Sequence, residues 1–209
     1  SLVSFGGGVI GSLTFAFTDS HWFNAVEAEV YAFSTFFTAI VVWLILKWNE
    51  KADEIGNERY ILIIAYMIGL ATGLHLLNLL AIPFIALIIY FKKYEPNWKT
   101  FGYTVIITGI VFFLIHNVII KGMPKIADSI GVWGAACLVL SVFVFMIWAI
   151  KNQKLILSLS LTSMVLILIG YSTYALIFIR SNQDPGIDEN DPETIEAFIS
   201  YLEREQYGD

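Results

Sequence analysis

Asp19-Ser20-His21-Trp22-Phe23-Asn24-Ala25-Val26-Glu27-Ala28-Glu29-Val30-Tyr31 is a polar island between two long apolar runs, and nothing else in the first 46 residues is charged. Glu27 and Glu29 stand two residues apart. On a helix such a pair diverges; in a loop it converges on one cation or one hydroxyl. Hard divalent ions take oxygen ligands of this kind, and a single carboxylate can act instead as a general base. An ordinary reading stands beside these, because acidic residues favour helix N-termini and this pair precedes an apolar run. Trp22, Phe23 and Tyr31 match an aromatic belt at a membrane–water boundary, which bears on location and not on chemistry.

Other polar groups interrupt apolar stretches further on. His75 and Asn78 lie at i, i+3 and would share a face of a continuing helix. They either bond between helices or contact a sugar or polyprenyl phosphate. His116 and Asn117 end a later apolar run, and Lys121, Lys125 and Asp128 follow around Gly122 and Pro124. That stretch reads as an anion-facing surface or, more simply, as an interfacial re-entry. Arg180 closes the last apolar segment, placed either to snorkel to head groups or to clamp a phosphate. No His/Cys spacing matches a zinc site. The single cysteine, Cys137, reads as a small buried packing residue. Gly6-Gly7-Gly8 lacks the Lys-Ser/Thr of a phosphate loop and reads as a close helix-packing face.

The elements that position these groups are membrane helices. Of 209 residues, 57% are hydrophobic and only 14% charged, where soluble chains carry roughly 25% charged residues; mean hydropathy is +0.72. There is no basic stripe for nucleic acid and no n-region of a signal peptide. Apolar segments fall at 1–17, 30–46, 60–91, 101–120, 131–150 and 155–179. Residues 60–91 contain no Asp, Glu, Lys or Arg, and a helix of that length exceeds the ~30 Å hydrocarbon core. The stretch therefore reads as a tight hairpin broken near Leu74-His75-Leu76-Leu77-Asn78, giving an all-α, polytopic bundle of about seven segments. With the hairpin, eight Lys and Arg residues (Lys47, Lys51, Arg59, Lys92, Lys93, Lys99, Lys151, Lys154) share one side and four (Lys121, Lys125, Arg180, Arg204) the other. The positive-inside rule then puts Asp19–Glu29, His75, Asn78, His116 and the tail outside the cytoplasm.

Two parts result: a membrane domain over 1–180 and an acidic tail over 181–209, which holds nine of the 18 Asp and Glu residues. Within the tail, Asp191 and Pro192 read as the N-cap and first position of a short amphipathic helix whose stripe is Ile195, Phe198, Ile199 and Leu202. It is expected to pack on the membrane domain or to lead into a soluble region.

Four stretches occur in order: Trp22-Phe23-x-Ala25-Val26-Glu27-x-Glu29-Val30-Tyr31; Gly73-x-His75-Leu76-Leu77-Asn78-Leu79; Gly170-Tyr171-Ser172-Thr173-Tyr174 with Arg180-Ser181; and Tyr201-Leu202-x-Arg204-Glu205-Gln206-Tyr207-Gly208-Asp209. Together they resemble a family of large bacterial integral membrane proteins of the glycosyltransferase-C clan, similar to protein O-mannosyltransferases. The resemblance implies a multi-pass enzyme of the bacterial cytoplasmic (inner) membrane with its site on the non-cytoplasmic face. It would pass a mannose-like sugar from a polyprenyl-phosphate donor to Ser or Thr hydroxyls of exported proteins. Glu27 and Glu29 match the position of the clan's second outer acidic site and would be catalytic or hold a divalent cation. Asp19, His75, Asn78, His116 and Arg180 would bind substrate, Arg180 at the phosphate. The clan's first-loop acid is expected before Ser1, so the chain reads as the middle of a longer enzyme, inactive by itself. Two other classes explain the apolar bulk: a non-catalytic membrane subunit of an envelope assembly, for which the acidic tail is a docking surface, and a lipid or ion transporter.

Overall fold

A computed structural model describes residues 1–27, 30–203 and 205. Among them the chain is helical with no strand: α1 (Leu2–Ala16), α2 (Asp19–Val26), α3 (Tyr31–Lys51), α4 (Glu58–Thr72), a 3-10 turn (Leu76–Leu80), α5 (Ala81–Lys93), α6 (Trp98–Phe113), a π-helical segment (Leu114–Ile120), α7 (Gly122–Lys151), α8 (Leu155–Tyr171), a 3-10 turn (Ser172–Tyr174), α9 (Ala175–Ser181) and α10 (Ile195–Glu203).

Five helical stretches are long and apolar enough to cross a membrane: Tyr31–Lys51, Leu76–Lys93, Trp98–Ile120, Gly122–Lys151 and Leu155–Ser181. Counting α1 and α2, bent by 61° at their break, as one broken span makes a sixth. The chain is thus an integral membrane protein, with five or six candidate spans where the sequence suggests about seven. The difference is α4. Gly73 ends it after 15 residues, about 22 Å of helix, which falls short of the hydrocarbon thickness.

The hairpin expected at 60–91 is present, and its ends are tied down. Lys92 at the end of α5 pairs with Asp53 at 3.0 Å, and the Lys93 ammonium donates to the Ala52 carbonyl at 2.9 Å. Both partners lie just before α4, so α5 returns to the end where α4 began. Asn57 seals the same corner, accepting from the Trp48 indole at 3.0 Å and donating to the carbonyls of Ala52 and Glu54.

Small residues let α4 and α8 meet backbone to backbone. A methyl built on Gly69 would lie 2.4 Å from the Ile167 carbonyl oxygen, and one on Gly170 would lie 2.6 Å from the Leu70 amide nitrogen. Gly73 faces Thr173 in the same direction along both helices, so the pair runs parallel. This register carries Lys151 and Lys154 to the end that holds Lys51, Lys92 and Lys93. The buried core spreads from this contact through Ile64 and Ile68 of α4 to Ile45 and Trp48 of α3, Ile82 and Ile85 of α5, and Ile119 and Ile120.

Pro124 has no N–H to give the Ile120 carbonyl, and the Tyr171 hydroxyl supplies that donor at 2.8 Å across the core. The Lys121 amide reaches back five residues to the His116 carbonyl at 3.1 Å, which closes the π segment. Residues 122–130 are helical, as an extension of α7 that breaks at Gly131. Its φ of 75° and ψ of 160° belong to glycine almost alone.

Three expectations are corrected. Gly6, Gly7 and Gly8 have no heavy atom within 4 Å of an added methyl, so no described element packs on them. Cys137 is exposed, because it lies on a face of α7 that α8 does not cover. The tail helix starts at Ile195 rather than after Asp191, whose φ of 47° is left-handed. Thr194 caps it instead, accepting from the Ala197 amide at 3.1 Å. The expected apolar stripe does dock: Phe198 meets Tyr174 and Phe178 with ring centroids 6.2 and 6.1 Å apart.

Candidate functional site

The polar island folds as a short helix between two apolar ones. Thr18 is extended and leads into α2, and Asp19 is the first helical residue, exposed where its charge meets the positive end of the helix dipole. Glu27 ends α2. Its backbone is extended, at φ −75° and ψ 150°, its amide donates to the Phe23 carbonyl at 3.1 Å, and its side chain is exposed. Glu29 lies outside the described residues. Among the described residues no three of His, Cys, Asp and Glu come together as metal ligands.

The broken hairpin supplies the neighbouring wall. His75 is extended between α4 and the 3-10 turn, and its Nδ1 accepts from the Leu77 amide at 3.1 Å. That bond fixes the tautomer: Nδ1 carries no proton, so Nε2–H is the donor of the neutral ring. The ring lies 5.4 Å from that of Tyr31 at the start of α3, which brings the hairpin break beside the end of the polar island. Asn78 is 4% exposed and its amide is fully used. Oδ1 accepts from Thr38 of α3 at 2.7 Å, and Nδ2 donates to the carbonyls of Ala71 and His75 at 3.3 and 3.0 Å. A break in a membrane helix frees carbonyls that need donors. Asn78 provides them and pins the break to α3.

A cleft of about 510 Å³ opens between α1–α2 and α3, with Phe15, His21, Asn24, Phe33 and Thr35 in its wall. The His21 ring packs against that of Phe15 in a tilted arrangement, with centroids 4.5 Å apart. Asp19, Glu27, His75 and Asn78 thus belong to one end of the molecule, around the start of α3. His116 and Arg180 stand on other elements toward the same end. His116 stacks on Phe112 at 6.1 Å within the π segment. Arg180 is exposed at the end of α9, beside a second cleft formed with Ile187, Asp188 and Tyr201.

Two residues that organise this end escaped notice as functional groups. Thr38 shows in the sequence only as one hydroxyl in an apolar run, with nothing to announce Asn78 as its partner. Tyr171 belongs to a stretch that carries the family resemblance, but its bond to Ile120 follows from a proline 47 positions earlier in the chain and is invisible to local spacing.

Outside the spans, three described carboxyls depart from their ordinary range. The hydrogen bond and charge of Lys92 hold Asp53 low. The hydrogen bond and charge of Lys125 hold Glu203 low. Glu193 is pushed up, first by the charge of Asp191, then by partial burial and by Asp184 and Asp188.

Residues 1–98 match the family model described as Protein O-mannosyl-transferase TMEM260 N-terminal domain. Asp19, Glu27, His75 and Asn78 lie within the matched stretch; His116 and Arg180 lie beyond it. No curated protein and no solved structure matches the chain.

Proposed function

We propose that this chain is a membrane domain of a glycosyltransferase that moves a mannose-like sugar from a polyprenyl-phosphate donor to Ser or Thr hydroxyls of exported proteins. The observation that carries the reading is the similarity of residues 1–98 to the N-terminal domain of a protein O-mannosyl-transferase family. The gathering of Asp19, Glu27 and His75 at one end within that stretch supports it. The excess of Lys and Arg at the opposite end supports putting the site on the non-cytoplasmic face.

In the reaction the acceptor oxygen attacks the anomeric carbon, its proton passes to a carboxylate, and the bond to the lipid phosphate breaks. Glu27 and Glu29 orient the acceptor hydroxyl, take its proton, or hold a divalent cation against the leaving phosphate. His75, at the break, lines the groove for the sugar donor. Asn78 keeps the break at His75 in shape. Arg180 stands beside Asp188 and Glu189 and is not the cation for the departing phosphate in this scheme.

The test is transfer by the intact protein in detergent, from radiolabelled polyprenyl-phosphate mannose to exported acceptor proteins. Label is expected on protein, falling about 100-fold or more in Glu27→Gln/Glu29→Gln. Folded wild type that labels nothing with any sugar tried sinks the transferase reading.

A further inference from the structure

We propose that the cleft between α9, residues 182–189 and α10 docks a cationic, partly apolar stretch of the polypeptide acceptor, which rests on the transferase reading above. The cleft holds about 580 Å³. Its apolar surface comes from Leu176, Ile179 and Ile187, and Ile187 is 93% exposed. An isoleucine so exposed, with Asp184, Asp188 and Glu189 around it, cannot sink into hydrocarbon, because those charges would go with it. An apolar patch rimmed by charge at the water side is the mark of a polypeptide contact.

Charge selects the partner. Residues 181–203 contain seven acids and no Lys, Arg or His, and Glu203 pairs with Lys125. Ser181, 1% exposed, donates to Asp188 at 2.7 Å and fixes that carboxylate at the cleft wall. The upward shift of Glu193, caused mainly by its acidic neighbours, reports the same negative potential. An anionic phosphate is repelled here, whereas Lys and Arg side chains are drawn in. Arg180, the one cation among the described residues of the wall, offers donors to the backbone carbonyls of an extended segment. The cleft sits where the last candidate span, ending at Ser181, leaves the bilayer, so a docked chain presents its hydroxyls to the end of the bundle that holds Glu27 and His75.

The test uses the intact protein in nanodiscs of neutral phosphatidylcholine, with two short fluorescent peptides that share Ser, Thr and apolar residues but are flanked by Lys or by Glu. Binding and sugar transfer are measured separately. The Lys-flanked peptide is expected to bind about 10-fold more tightly, with the preference shrinking at high salt. Asp188→Asn/Glu189→Gln should lose most of the preference. Ile187→Ser, at a position too exposed to matter for folding, should weaken the Lys-flanked peptide several-fold. Equal binding of both peptides, or no change in either variant, overturns the proposal. Equal transfer to both peptides keeps the transferase and removes the docking cleft; charge-selective binding without transfer removes the transferase and with it the acceptor identity of the docked chain.

Discussion

α4 and α8 touch backbone to backbone at Gly69 and Gly170, whereas α1 and α2 bury none of their residues. Asp19 and Glu27 sit on or beside the loose pair, and His75 sits at the end of the tight one. Exposed carboxylates cost little on an element with no core to disrupt. A side chain that must hold one place needs a wall that cannot shift. The molecule divides the two demands, with rigidity from α4, α8 and the pinned break, and charge from α2.

The largest effect is expected where this contrast is sharpest. Gly170→Ala puts a methyl within 2.8 Å of three backbone atoms of α4, which cannot retreat as a flexible side chain would. A loss of about 3 kcal/mol, the upper end for overpacking, should show as a lowered melting temperature in detergent, with Gly69→Ala similar. A normal melting temperature in both would mean that α4 and α8 do not meet at these glycines.

The pinned break is next. Asn78→Leu leaves the Thr38 hydroxyl and the carbonyls of Ala71 and His75 without their present partner, at about 2 kcal/mol. Tyr171→Phe removes the donor from Ile120, for which Pro124 offers no substitute, at about 1 kcal/mol. Because Asn78 also shapes the His75 turn, its variant should lower transfer more than Tyr171→Phe does at matched stability. Equal transfer in the two would separate the turn from the site.

Much of this architecture was legible in the sequence, for a physical reason. A bilayer enforces continuous apolar runs and sorts Lys and Arg, so the hairpin, the end-to-end asymmetry and the docking stripe of the tail all leave local marks. Contacts between helices do not. In lipid, small residues mark close approach, but Gly6-Gly7-Gly8 advertises the same signal as Gly69 and Gly170, and only the latter two meet a partner. Asp191 reads as a cap as well as Thr194 does, until its backbone turns left-handed. The identities of Glu27, His75 and Asn78 stand out as polar interruptions. That Asn78 spends its amide on the hairpin while His75 reaches Tyr31 depends on where α3 lies, which no spacing encodes.

A smaller effect separates the tail from the bundle. Lys125 holds Glu203 below the ordinary carboxylate range, so the ionised acid is bound more favourably in the folded molecule than in the unfolded one. The contribution is present in full above the ordinary carboxylate pKa and fades as pH falls through the depressed one. A fluorine label on Phe198, which rests on Tyr174 and Phe178, should keep its NMR shift at mildly acidic pH and move toward the exposed value only well below the ordinary range. In Lys125→Met that loosening should be present at neutral pH. A shift indifferent to both changes would assign α10 docking to the aromatic contact alone.

The smallest expected effect has the sharpest sign. Gly7→Ala lies on an α1 face with nothing within 4 Å. An alanine there meets no wall, and in a helix interior it is favoured over glycine by up to about 1 kcal/mol. The melting temperature of this chain should therefore stay level or rise slightly, opposite in sign to Gly170→Ala although the substitution is the same. Repeating the pair of variants in the intact protein tests whether the loose half of the molecule stays loose. If Gly7→Ala then destabilises, a helix beyond this chain closes on the α1 face, and the contrast between a tight wall and an uncommitted acidic element belongs to this part alone. If the two variants keep opposite signs, the carboxylates of α2 work from an element the fold leaves open.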